Sequence, residues 1–217
     1  MNTSDTNMQS YWDTYYNHPA HDALSKPSQF SVFVAGELEG EKHIVDLGCG
    51  NGRDSLFFSH LGHHVLGVDA SSSAIRMCTQ KAQSTGSRAR FACMKAHELA
   101  FNELSPDEKN PPVIYARFFL HAIPIEEETL LFRQFGLLCG AGTSLYLEFR
   151  TIQDCDRKKE TENHFRRFLN PDETVAGLVA SGFEISYYTA GFGYAKYKND
   201  DAHVARIIAV KSAAAGG

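Results

Sequence analysis

The chain has 217 residues, 43% of them apolar, with a formal net charge of −5. That length suits one α/β domain with a sizeable core, and the mild acidity argues against a nucleic-acid binder, which carries a strong basic excess. No apolar run is long enough to cross a membrane, and the start MNTSDTNMQSYWD has neither the basic nor the apolar region of a signal peptide.

In chain order, the front segment YWDTYYNHPAHDALSKPSQFSVFVAG is aromatic-rich, then helical around 28–35. Strand HIVDL (43–47) leads into a helix over 53–61, and strand HVLGVD (64–69) into a helix over 72–83 with Ser71 as its cap. A third strand covers 89–94 and, after the polar loop NELSPDEKNPP, a fourth covers 113–119. Pro124 suits the first turn of the next helix, with Glu126, Glu127 and Glu128 at its positive end, and CGAG (139–142) stops it. The fifth strand is SLYLEF (144–149). Asn170 with Glu173 marks another helix start, and that helix ends at Gly182. Two strands without a helix between them follow, 183–190 and 203–210, and should pair as an antiparallel hairpin at the sheet edge. Short apolar runs alternating with helices indicate a parallel sheet covered on both faces. The expected organisation is one domain over 1–211, with a lid at 1–36, a core at 43–211 and a disordered tail at 212–217.

The five cysteines are scattered and form no CxxC pair, so neither a zinc site nor a redox dithiol is expected. A reducing, cytoplasmic setting follows. Asn110-Pro111-Pro112 precedes a strand and reads as a loop breaker.

The stretch DLGCGNGRDS (46–55) lies between a strand and a helix. Glycines there permit tight turns and close backbone approach by a ligand beyond the strand ends. The spacing G-x-G-x-G is shorter than the dinucleotide fingerprint G-x-G-x-x-G. Asp69 ends the second strand, where a carboxylate can accept hydrogen bonds from both ribose hydroxyls. Asp46 adds an acid beside the loop, which suits a cationic or amine-bearing ligand better than a pyrophosphate.

HIVDLGCGNGRDS followed by VLGVDASSSAI resembles the nucleotide-binding half of class I S-adenosylmethionine-dependent methyltransferases, and the likeness spans most of the chain. The resemblance implies a Rossmann-like α/β fold: a seven-stranded, mostly parallel sheet of order 3-2-1-4-5-7-6, last strand antiparallel, with helices on both faces. It implies that Asp46, Gly48, Gly50 and Gly52, with Cys49 and Asn51 between them, lie under the methionine part of S-adenosylmethionine. Asp69 would hold the ribose and Ala70 flank the adenine. Many family members carry an acid after the third strand; here CMKAHELAF offers only the backbone of Ala96 or the side chain of His97. Cys49 reads as a small apolar filler.

Tyr11, Trp12, Tyr15 and Tyr16 are dense aromatics for a terminus and read as a lid over the cofactor. Arg117 and Phe118, at the end of the fourth strand, are expected on the cofactor side of the site. His121 could take a proton from the acceptor. Glu148 is a second candidate base, and Arg150, on the same face of the fifth strand, a candidate anion clamp. Arg150, His164, Arg166, Arg167 and Tyr194 form the expected acceptor-binding set, with the charged stretch 157–167 as a second lid. The expected activity is methyl transfer to a small, anionic acceptor, at oxygen, by a monomer or homodimer without nucleic acid, membrane or metal. Other readings are an NAD-dependent oxidoreductase, a non-catalytic S-adenosylmethionine-binding partner protein, and RNA methylation through the basic stretch.

Overall fold

The structure, a computed structural model, describes residues 10–16, 26–100, 110–156, 165–197 and 199–213. The chain divides into two compact units, 1–99 and 100–217. The strands form a seven-stranded sheet of order β3-β2-β1-β4-β5-β9-β6 and a separate ribbon β7-β8. This is the expected Rossmann-like order, with β9 as the seventh strand.

In the first unit, helix α1 covers residues 10–16, and α2 (Gln29–Glu37) precedes β1 (His43–Leu47). Ile44, Val45 and Leu47 are all buried, as in a strand covered on both faces. β1 runs parallel to β2 (His64–Asp69), and β2 parallel to β3 (Arg90–Cys93). Helix α3 (Arg53–His60) follows β1, and α4 (Ser72–Thr85) follows β2. Ser71 caps α4 as its sequence position predicts, its Oγ accepting from the Ala74 amide at 3.1 Å. Gly86 closes that helix in the left-handed region. Asp54 fastens α2 to α3: its carboxylate accepts from the Ser28 amide and hydroxyl, both at 2.8 Å, and from Ser31 Oγ at 3.0 Å.

In the second unit, β4 (Val113–Arg117) runs parallel to β5 (Ser144–Arg150), with α5 (Ile125–Leu138) between them in sequence. Pro124 is the N-cap of α5, one position earlier than expected. Helix α6 (Pro171–Ala180) starts at Asn170, whose side chain accepts from the Asp172 amide at 3.1 Å. β9 (Val204–Lys211) lies antiparallel to both β5 and β6 (Phe183–Gly191), so the expected hairpin is present with β6 at the edge. A bulge between Ile185 and Tyr187 breaks the β6 register and blunts that edge. Between β6 and β9 the chain makes an extra ribbon, β7 (Lys196–Tyr197) and β8 (Asp200–Asp201). Ser212 belongs to the fold, its amide donating to Gly182 O at 3.1 Å; 214–217 lie outside the described residues.

Candidate active site

The glycine loop sits at the carboxyl end of β1. Gly48, Gly50 and Gly52 have φ of 68°, 54° and 73°, the left-handed region that L side chains rarely adopt. The amides of Gly48 and Cys49 both donate to Val68 O, at 2.8 and 3.1 Å, which fastens the loop to β2. A side chain at Gly52 would meet Cys78 Sγ at 2.8 Å. Asn51 is buried, and its carbonyl accepts from Lys81 Nζ at 3.3 Å. Cys78 Sγ donates to Gly50 O at 3.0 Å. The hydrogen bond with Cys78, together with burial, holds the Cys49 thiol well above its ordinary pKa, so it remains protonated as a loop filler.

Asp69 faces this loop from the end of β2. The Gly50 amide donates to Oδ2 at 2.9 Å and the Ser71 amide to Oδ1 at 2.8 Å. Burial nevertheless raises its pKa, those two amides opposing the rise. Each oxygen keeps acceptor capacity for a hydroxyl. Asp46 is deeper, 2% exposed, and accepts from Ser55 Oγ at 2.5 Å. Burial pushes its pKa to about 8, with Asp54 and Asp69 adding to the rise and the Ser55 hydroxyl opposing it. An acid so placed gains by meeting a cation. Ala70 is half-buried beside Asp69. After β3, Ala96 is buried and His97 half-buried in the short turn Ala96–Glu98, which Glu98 closes by accepting from the Lys95 amide at 3.0 Å.

The aromatic residues of α1 pack on one another. Trp12 meets Tyr11 and Tyr15 edge-on at 5.1 and 5.6 Å and stacks on Tyr16 at 5.9 Å. Asp13 Oδ1 accepts from Ser71 Oγ at 2.6 Å and from the Ser73 amide at 3.1 Å. The Tyr16 hydroxyl lies against Gly50, filling the place a side chain would take there.

In the second unit, a network of charges forms at the carboxyl ends of β4 and β5. Glu148, 1% exposed, accepts from Arg117 Nε at 3.0 Å and Arg206 Nε at 2.8 Å. Arg150, also buried, donates to Asp154 at 2.5 Å and Asp200 at 2.6 Å. Three guanidinium groups thus face three carboxylates, and the network is neutral within itself. Phe118 is the one non-glycine with positive φ among the described residues, at 56°, and Arg117 lies over its ring at 4.2 Å. The His121 ring lies 5.1 Å from that of Phe118. His121 Nδ1 accepts from the Arg150 amide at 3.1 Å, which assigns the ring proton to Nε2. Arg167 donates to the carbonyls of Leu120 and Ile123 and pairs with Glu128. Arg166 is half-buried beside it, and His164 lies outside the described residues. Tyr194 Oη pairs with Thr189 Oγ1 at 3.1 Å, and the Arg206 guanidinium lies 5.0 Å over its ring.

Residues 44–136 match the family model of a methyltransferase domain. Among solved structures, a methyltransferase from Anabaena variabilis aligns with a TM-score of 0.69 at 21% identity, covering 94% of this chain and 95% of that one. A Methanosarcina mazei methyltransferase aligns at 0.67 and 24% identity, covering 84% and 98%. Magnesium protoporphyrin IX methyltransferase from Synechocystis, solved with bound S-adenosylmethionine, aligns at 0.60 and 18% identity, covering 95% and 81%. No curated protein matches the chain in sequence.

Residues 44–136 carry a methyltransferase domain.

The residues present fit S-adenosylmethionine. Three left-handed glycines leave bare backbone, Asp69 offers a carboxylate already oriented by two amides, and Asp46 is an acid that a nearby cation would stabilise. Sequence reasoning did not find Asp13, Ser55, Asp154, Asp200 or Arg206. Asp154 stands four residues after Arg150, a spacing that could have signalled a pair. Asp200 and Arg206 reach the network only because β9 returns beside β5.

Proposed function

We propose that this methyltransferase methylates a small-molecule acceptor at oxygen, and that the acceptor oxygen is a carboxylate. The cofactor half of the reading rests on one observation, the three left-handed glycines beside Asp69. Asp46 would face the cationic methionine part, Asp69 the ribose, and Ala70, Ala96 and His97 the adenine. When bound, S-adenosylmethionine supplies an electrophilic methyl group and a neutral thioether leaving group.

The oxygen preference is supported by what the candidate bases already do. Glu148 is held by two guanidinium groups, and His121 has its basic nitrogen engaged by the Arg150 amide. An acceptor that brings its own anionic oxygen requires neither as a base, and alignment then carries the rate. Arg150 and Arg167 are paired with carboxylates of the chain. Arg117, the more exposed of the Glu148 partners at 19%, is the better candidate to meet the acceptor's charge, with Arg166. Free cysteines among the described residues are consistent with a reducing, cytoplasmic setting.

The test is a label-transfer assay with methyl-labelled S-adenosylmethionine and pools of carboxylates, phosphates, hydroxyl compounds and amines. A methyl ester releases its label as volatile methanol in mild alkali, whereas methyl ethers and methylamines keep it. Transfer only to alkali-stable products would overturn the carboxylate reading.

A further inference from the structure

Two neighbouring residues in the first turn of α3 serve different partners. Asp54 holds α2 through Ser28 and Ser31, while Ser55 reaches back to β1. A serine inside a helix commonly bonds to its own backbone one turn earlier. Ser55 instead donates its hydroxyl to Asp46 Oδ2, nine residues earlier, at 2.5 Å. Ser55 is fully buried and Asp46 is 2% exposed. Among the described residues, this hydroxyl is the hydrogen-bond donor that the Asp46 carboxyl meets. The charged groups around it are Asp54 in the same turn and Asp69 at the end of β2, which disfavour a carboxylate, and Arg53, which favours one. The Cys49 thiol of the intervening loop is neutral.

We infer that Ser55 is a positioning residue for cofactor uptake: its hydroxyl holds Asp46 and supports the carboxylate form, so that Asp46 gives up a proton to solvent when it meets the cofactor's ammonium group. The inference rests on the placement of that ammonium beside Asp46 proposed above. A buried carboxyl with a single donor and two like charges near it stays neutral until a cation arrives. Burial raises the Asp46 pKa to about 8, and the Ser55 hydroxyl opposes that rise more than Arg53 does. Below that pH the free protein keeps the carboxyl proton, whereas an ion pair with an ammonium needs the carboxylate. Binding and proton release are therefore linked. Without the Ser55 hydroxyl the proton is harder to displace.

Calorimetric titration with S-adenosylhomocysteine from about pH 6 to pH 9, in two buffers of different ionisation heat, reads both affinity and protons released. Wild-type affinity should rise with pH up to about pH 8, with about one proton released per ligand near pH 7. Ser55→Ala should bind about tenfold more weakly near pH 7, the effect of losing a hydrogen bond to a charged group, and should approach wild type near pH 9. Asp46→Asn should release no proton. A Ser55→Ala affinity reduced by the same factor at every pH would mark a merely structural role and overturn the inference, as would binding to wild type without proton release. If Asp46→Asn binds S-adenosylhomocysteine as tightly as wild type at every pH, the placement of the ammonium itself fails.

Discussion

Asp46→Asn should make the protein more stable and worse at binding its cofactor. Asp46 is 2% exposed and its pKa is pushed to about 8 by burial, against about 3.9 in an unfolded chain. Between those values the folded state holds more protons than the unfolded one, so stability falls as pH rises. At pH near 7 the penalty is at most about 4 kcal/mol and still rising, with about 1.5 kcal/mol already present near pH 5. Asparagine still accepts from the Ser55 hydroxyl but has no charge to desolvate. Thermal melts of both proteins across this range are the assay. At a few degrees per kcal/mol for a chain of this size, the variant's advantage should grow by about 5–10 °C between about pH 5 and pH 7. With S-adenosylhomocysteine present the order should reverse, because the ligand's ammonium favours the charged carboxylate. Parallel melting curves for the two proteins over that range would refute the argument that Asp46 is the strained acid of the site.

Arg150→Ala should remove about 3–5 kcal/mol of stability, because Asp154 and Asp200 are left as buried, unpaired acids; a rise in acceptor KM with an unchanged melting temperature would instead mark Arg150 as a clamp. Glu148→Ala should destabilise comparably by leaving Arg117 and Arg206 facing each other, seen as a fall in denaturation midpoint. Gly52→Ala should cost about 1–2 kcal/mol for the left-handed backbone plus its contact with Cys78. Adding Cys78→Ala should recover only the second part, read as a double-mutant cycle.

The parallel strands were legible because they are short apolar runs bounded by glycines and caps, local signals read within each segment, whereas their order in the sheet was implied only by the family resemblance. Ser71 and Asn170 announced their helices for the same reason. The glycine loop was legible because a left-handed turn needs glycine, and Asp69 because a carboxylate at the end of the second strand suits a ribose. The second unit was less so. Arg150 and Glu148 read as reactive groups, yet their partners Asp200 and Arg206 lie far along the chain and arrive only through the β5–β9 pairing. The ribbon β7–β8 was missed because KYKNDD carries no alternating apolar pattern. At the N-terminus the aromatics were evident, but Asp13 among them gave no sign until its contact with Ser71 was seen.

The central claim is that S-adenosylmethionine binds at the glycine loop with its ribose on Asp69. Calorimetric titration of wild type and Asp69→Ala with S-adenosylhomocysteine, and of wild type with NAD, tests it most directly. The account predicts saturable binding of S-adenosylhomocysteine to wild type, about a hundredfold weaker binding to the variant from loss of two charged hydrogen bonds, and no heat with NAD. Equal affinity in the two proteins, or binding of NAD in place of S-adenosylhomocysteine, would contradict it.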